Sequence, residues 1–155
     1  VLRGHEAAIS AFSGHAHADI YDTYVRGIRS IIAAAKASAV PRLLVVGGAG
    51  SLEGTPGGRQ VVDDPEFPAQ WKQTALGARE ALSLLRGESE LNWTMLSPSA
   101  VIAPGQRTGS FRLGKDQLLV DAKGESRIAL EDYAMAMIDE LERPAHRQQR
   151  FTVGY

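Results

Sequence analysis

The chain has 155 residues, about one domain's worth, and its 44% hydrophobic and 23% charged side chains are an ordinary globular composition. Its 17 Lys and Arg against 18 Asp and Glu are balanced locally as well, 9 against 10 over residues 1–106 and 8 against 8 over 107–155, so no basic face for nucleic acid or anionic lipid is indicated. Cysteine is absent, which excludes disulfides, thiolate metal sites and a cysteine nucleophile, and no apolar run approaches the ~20 residues of a membrane span.

The polar turn Arg3-Gly4-His5-Glu6 precedes a short apolar run, Ala7–Ala11, that fits a buried strand and ends at Ser13-Gly14. Asp19 then opens a helical pattern in which Ile20, Tyr24, Ile28, Ile31 and Ala35 form one apolar stripe, with Pro41 as its stop. Leu43–Val46 is a second buried strand, running into Gly47-Gly48-Ala49-Gly50-Ser51. Residues 53–68 carry prolines and glycines without a period and read as a long surface loop, a length that usually signals function or mobility.

From Ala69 to Arg86 the helical period returns, Trp71 opening the stripe and Gly87 ending it. Trp93–Leu96 is the third strand and runs into Ser97-Pro98-Ser99. Phe111–Leu113 and Leu118–Val120 flank Gly114-Lys115-Asp116-Gln117 and read as a hairpin with a four-residue turn. Leu130–Glu142 is a helix ended by Pro144, and Phe151–Val153 is a last short strand. Apolar strands alternating with amphipathic helices predict an α/β layer around a mostly parallel sheet, folded as a single domain over 1–155.

Ala7–Ala11 reads as apolar on both faces, as strands inside a sheet do. An uncovered apolar edge is an aggregation hazard. Further strands before Val1, or another chain on that edge, are therefore expected, the former being favoured.

Several segments in order and spacing carry a family resemblance: GHEAAISAF, RLLVVGGAGSLE at 42–53, NWTMLSPSA at 92–100, RTGSFRLGKDQLLVD at 107–121, SRIALEDYAMAMIDELERP at 126–144 and the closing RFTVGY. Together they resemble the C-terminal two-thirds of atypical short-chain dehydrogenase/reductases, closest to the NAD(P)H-binding, NmrA-like and NADH–flavin-reductase-like group. The resemblance implies a Rossmann-like, doubly wound, mostly parallel sheet without its first three strand–helix units. NAD(P)H is the cofactor it implies.

The Gly-rich turn that cradles the pyrophosphate in this family follows its first strand. Gly47-Gly48-Ala49-Gly50 imitates it but fails the context: position 53 is Glu, and a Pro-containing loop follows instead of a helix. The chain by itself is therefore expected to bind dinucleotide weakly or not at all. The resemblance places this segment at the end of a later strand, near the nicotinamide.

Ligands of open α/β sheets bind outside the carboxyl ends of the strands. Three such ends are visible, and by resemblance they line the ribose and nicotinamide: Ser10, Ala11 and Phe12; Gly47, Gly48 and Ala49; Ser97, Pro98, Ser99 and Ala100. Small residues there also simply make turns.

Short-chain reductases ordinarily protonate a carbonyl from a Tyr assisted by a Lys four residues on, whose charge lowers the phenol's pKa. Tyr21, Tyr24 and Tyr133 are followed at that spacing by Val25, Ile28 and Met137, and the helix opening at Ala69 has Trp71 and Lys72 but no Tyr. Hydride transfer to a flavin or quinone needs geometry more than an acid, since the cofactor carries the chemistry.

His15 and His17 read as a solvated loop in preference to metal ligands. Beside a substrate, either imidazole can donate a proton. Trp71, Phe111 and Arg112 are further substrate-side candidates, each with a structural reading beside it: helix stripe, hairpin and surface arginine. Asp63, Asp64 and Glu66 read as a solvated acidic loop.

Two functions follow from the resemblance: an NAD(P)H-dependent oxidoreductase reducing flavin, quinone or a carbonyl, and a noncatalytic, NmrA-like dinucleotide sensor. A small-molecule substrate, a cytoplasmic setting, and no nucleic-acid, membrane or metal partner are expected. Self-association stays open.

Overall fold

A computed structural model describes residues 1–155. Its main sheet has five strands in the order β1-β2-β3-β7-β5: β1 (Ala8–Ser10), β2 (Leu43–Val46), β3 (Trp93–Ser97), β7 (Gln149–Gly154) and β5 (Arg112–Gly114). The first four run parallel, and β5 is antiparallel to β7. A second sheet pairs β4 (Val101–Ala103) with β6 (Arg127–Ala129), also in parallel. The helices are α1 (Ile20–Ser38), α2 (Ala69–Arg86) and α3 (Leu130–Glu142).

Alternation along the strands decides which face each helix covers. Leu43, Val45, Trp93 and Met95 point to one side, where Tyr24 and Ile28 of α1 and Ala78, Leu82 and Leu85 of α2 complete a core. Leu44, Leu96, Phe151 and Val153 point to the other, against Tyr133, Ala136 and Met137 of α3. Helices on both faces of a mostly parallel sheet make this a Rossmann-like α/β fold. Between α1 and α2, Gly77 is required by close approach: a Cβ there would stand 2.9 Å from the Tyr24 Cβ.

The helices and the central strands lie where periodicity puts them. The hairpin does not form. Arg112–Gly114 pairs with Gly154–Thr152 of β7, and residues 118–120 form no strand. The intervening turn is drawn elsewhere: the Asp116 carboxylate takes up Arg150 and Arg86, and the Leu118 N–H donates to the Glu53 carbonyl at 2.9 Å. Strands β4 and β6 are additions, each too short to show alternation. β1 lies at one edge of this sheet, with Ile9 44% exposed. No helix is long and apolar enough to cross a membrane.

Candidate active site at the carboxyl ends of the strands

Register fixes where the loops emerge. Ser10 pairs with Val45 and Val45 with Met95, so β1, β2 and β3 end nearly level. The segments Ser10–Phe12, Gly47–Ala49 and Ser97–Ala100 therefore lie side by side along one edge of the sheet.

Their side chains play unequal parts. Ser97 and Ser99 are buried and turned inward. The Ser99 hydroxyl donates to the Val153 carbonyl at 2.9 Å, and the Ser97 Oγ lies 3.4 Å from the Arg150 guanidinium. Pro98 is buried and Ala100 exposed. A Cβ on Gly48 would stand 3.0 Å from that of Ala78, and one on Gly47 2.8 Å from the Met95 Cγ, so these glycines let strand and helix close up. What this edge presents outward is backbone, Ala11 and Phe12, whose ring meets Tyr24 edge-on at 6.1 Å.

Above this floor three side chains meet. Thr74 precedes Ala78 by one helical turn, about 6 Å nearer the N-terminus of α2, and Ala78 touches Gly48. The His15 Nδ1 is 3.3 Å from the Thr74 hydroxyl, and its ring meets that of Trp71 edge-on at 6.0 Å. Trp71 is 52% exposed, so it rims the site instead of opening the buried stripe of α2. Sequence reasoning named His15 and Trp71 but missed Thr74, which lies 59 positions from His15 with no local signal.

His17 is exposed and is not drawn into this group. Phe111 packs against the α3-side core, and the Arg112 guanidinium donates to the carbonyls of Val120 and Tyr155. Lys72 donates to the Val62 carbonyl and lies 5.6 Å from the Phe67 ring. It is thus held by the loop below Trp71, away from any tyrosine. Burial pushes the Tyr24 phenol up to about 12 and Tyr133 further still, the latter donating to the Leu96 carbonyl. Neither is a practical acid. No group of three His, Asp or Glu gathers to hold a metal.

A second constellation lies beside β3. Asp132, fully buried near the start of α3, accepts the Thr108 and Gly109 N–H groups at 3.0 and 2.9 Å and the Thr108 and Tyr155 hydroxyls at 2.6 and 2.7 Å. Burial pushes this carboxyl up, but those donors outweigh it and hold the pKa below the usual range. Glu131 accepts the Gly105 N–H at 2.9 Å. The two acids fasten residues 104–110 to α3. Nothing in the sequence singles out either acid, because their partners at 105–109 lie more than twenty positions away.

The family model described as NAD(P)H-binding matches residues 1–144. The chain belongs to this family. It is 41% identical over 157 residues to YwnB of Bacillus subtilis, covering 98% of this chain and 71% of that protein. A solved structure of a putative epimerase from Bacteroides thetaiotaomicron is 44% identical with TM-score 0.91, over 99% of this chain and 69% of that one. That of a putative NADH-flavin reductase from Streptococcus pneumoniae is 35% identical with TM-score 0.85, over 99% and 73%.

The residues on the edge fit the nicotinamide–ribose end of the family's cofactor. Gly47, Gly48 and Ala49 are small, uncharged and half-exposed, so backbone can approach a flat ring there, and the strand ends bring no anion to it. The 47–50 segment runs into a 3₁₀ turn, Ala49–Ser51, and not into an α-helix. It is no pyrophosphate cradle.

Proposed function

We propose that the protein is an NAD(P)H-dependent reductase of the atypical short-chain type, passing hydride to an electron-poor ring of flavin or quinone class or to a carbonyl. The observation that supports this best is the convergence of three uncharged strand ends beneath His15, Thr74 and Trp71. When bound, NAD(P)H supplies the hydride.

The chain's own residues do the rest. Ala11, Gly47, Gly48 and Ala49 form the surface on which a nicotinamide would rest. Trp71 and Phe12 flank it and exclude water. His15, oriented through Nδ1 by the Thr74 hydroxyl, keeps Nε2 free to give a proton to the reduced acceptor. This imidazole would take the proton-donating role that other short-chain reductases give to a tyrosine.

The test is NADPH and NADH oxidation by the intact, full-length protein with flavin, quinone and aldehyde acceptors, with cofactor binding followed separately by fluorescence. Turnover with at least one acceptor is the expected result. Cofactor binding without oxidation by any acceptor would instead establish the noncatalytic, dinucleotide-sensing alternative.

A further inference from the structure

A cavity of about 550 Å³ opens beside the end of β3. That size suits a small organic ligand. Its floor is the outer face of the β4–β6 pair, where register puts Val101, Ala103 and Ala129 on one side; its wall is the segment 104–110 fastened by Glu131 and Asp132. The wall's position is thus set by hydrogen bonds to Glu131 and Asp132 and needs no ligand to form it.

Arg127 is the one charged residue lining the cavity. Its guanidinium lies 5.5 Å from the centre of the Tyr155 ring, which orients it. Its acidic neighbour is Glu125, at 3.9 Å with both side chains more than half exposed, a contact that a ligand can readily displace. Asp121, also nearby, has its carboxylate occupied by the Lys123 and Glu125 N–H groups at 2.8 and 2.9 Å. An apolar floor with one oriented guanidinium and uncharged polar neighbours, Gln106 and Ser110, matches a flat, largely apolar molecule bearing one anionic group.

We propose that this cavity binds a planar organic carboxylate, its anion on Arg127 and its ring over Val101, Ala103 and Ala129. Val101 directly follows the Ser97–Ala100 strand end. A ligand seated here would therefore extend toward the nicotinamide surface, making an aromatic or conjugated carboxylate the class of acceptor. That last step rests on the reductase reading; the binding of the anion does not.

The experiment is calorimetry or chemical-shift titration with 2-naphthoate and its uncharged partner 2-naphthamide, without cofactor. Naphthoate is expected to bind about tenfold or more tightly than the amide. R127Q should remove that preference and R127K restore part of it. A103W, which fills the floor at an exposed position, should weaken both ligands. Equal affinity for acid and amide, or a preference that survives in R127Q, overturns the proposal. Naphthoate should also inhibit cofactor oxidation competitively with the acceptor; non-competitive behaviour would overturn the acceptor assignment. A protein that binds naphthoate through Arg127 yet oxidises no cofactor would sink the reductase reading and leave the anion site standing.

Discussion

The two ends of the parallel sheet use polar groups in opposite ways. At the amino end, Arg42 and Glu140 are buried together at 2.7 Å. The Arg42 guanidinium also donates to the Glu140 carbonyl at 2.6 Å and to the Thr94 hydroxyl at 3.3 Å. Glu140 accepts the Ala145 and His146 N–H groups and the His146 imidazole as well, the last at 2.8 Å. Nearly every donor finds a protein partner there. At the carboxyl end, His15 has one long contact, and Trp71 and Phe12 stand in solvent. One end is closed on itself and carries stability; the other leaves its side chains largely unpaired, as the proposed binding edge requires.

The sharpest way to break this contrast is at the closed end. Glu140→Ala should cost about 3–5 kcal/mol, because it leaves the Arg42 charge buried without its partner. Urea denaturation measures it, and a loss below about 1 kcal/mol would show that water already reaches the pair. At the open end, His15→Ala should leave the urea midpoint almost unchanged and lower turnover with a carbonyl acceptor about 100-fold, with a smaller loss for flavin. Equal losses for both acceptors would count against a proton-donating role.

Gly77→Ala tests the helix pair between the two ends. Its Cβ meets the Tyr24 Cβ at 2.9 Å, so α1 and α2 must part, at about 1–2 kcal/mol. Acid supplies a gentler probe. Burial pushes the Glu140 carboxyl up, but the His146 and Ala145 groups outweigh it, so its folded pKa lies below the ordinary 4.5; that of Asp132 lies below 3.8. Carboxyls depressed in this way stabilise the fold above their unfolded values and lose that contribution as pH falls through the folded ones. The stability gap between the natural protein and Glu140→Gln should therefore narrow below about pH 4.5. Smallest of all, Trp71→Ala should shift stability by no more than about 0.5 kcal/mol, while weakening acceptor or cofactor binding.

What the sequence shows follows the same division. The apolar stripe of Ala69–Arg86 and the branched run Leu43–Val46 are local patterns, and each gives its element directly. Where the strands end is legible too, because small residues and turn formers follow each branched run. The turn 114–117 misleads because its four residues look like a hairpin loop. Only the fold shows that Asp116 answers to Arg150, 34 positions away. The short strands Val101–Ala103 and Arg127–Ala129 form because they pair with each other and carry no pattern of their own. The His15–Thr74 contact and the clamp of Asp132 on Thr108 likewise join segments distant in sequence.

The Glu53 backbone joins two distant segments at a single residue. Its N–H donates to the Asp116 carbonyl at 2.8 Å, and its carbonyl accepts from Leu118 at 2.9 Å. Directly behind it, the Val61 N–H closes on the Leu52 carbonyl at 2.9 Å, and the Gly54 N–H on that of Arg59 at 3.1 Å. The long loop thus has a fixed root and an exposed crown at residues 55–58, held only by bonds within the loop, from the Gly57 N–H to the Glu53 carboxylate at 2.7 Å and from the Gly58 N–H to the Thr55 carbonyl at 2.9 Å. In hydrogen-exchange experiments the Glu53, Val61 and Leu118 amides should open together as one cooperative unit. Extra residues placed in the crown should be tolerated, because they lengthen the loop outward while its root holds.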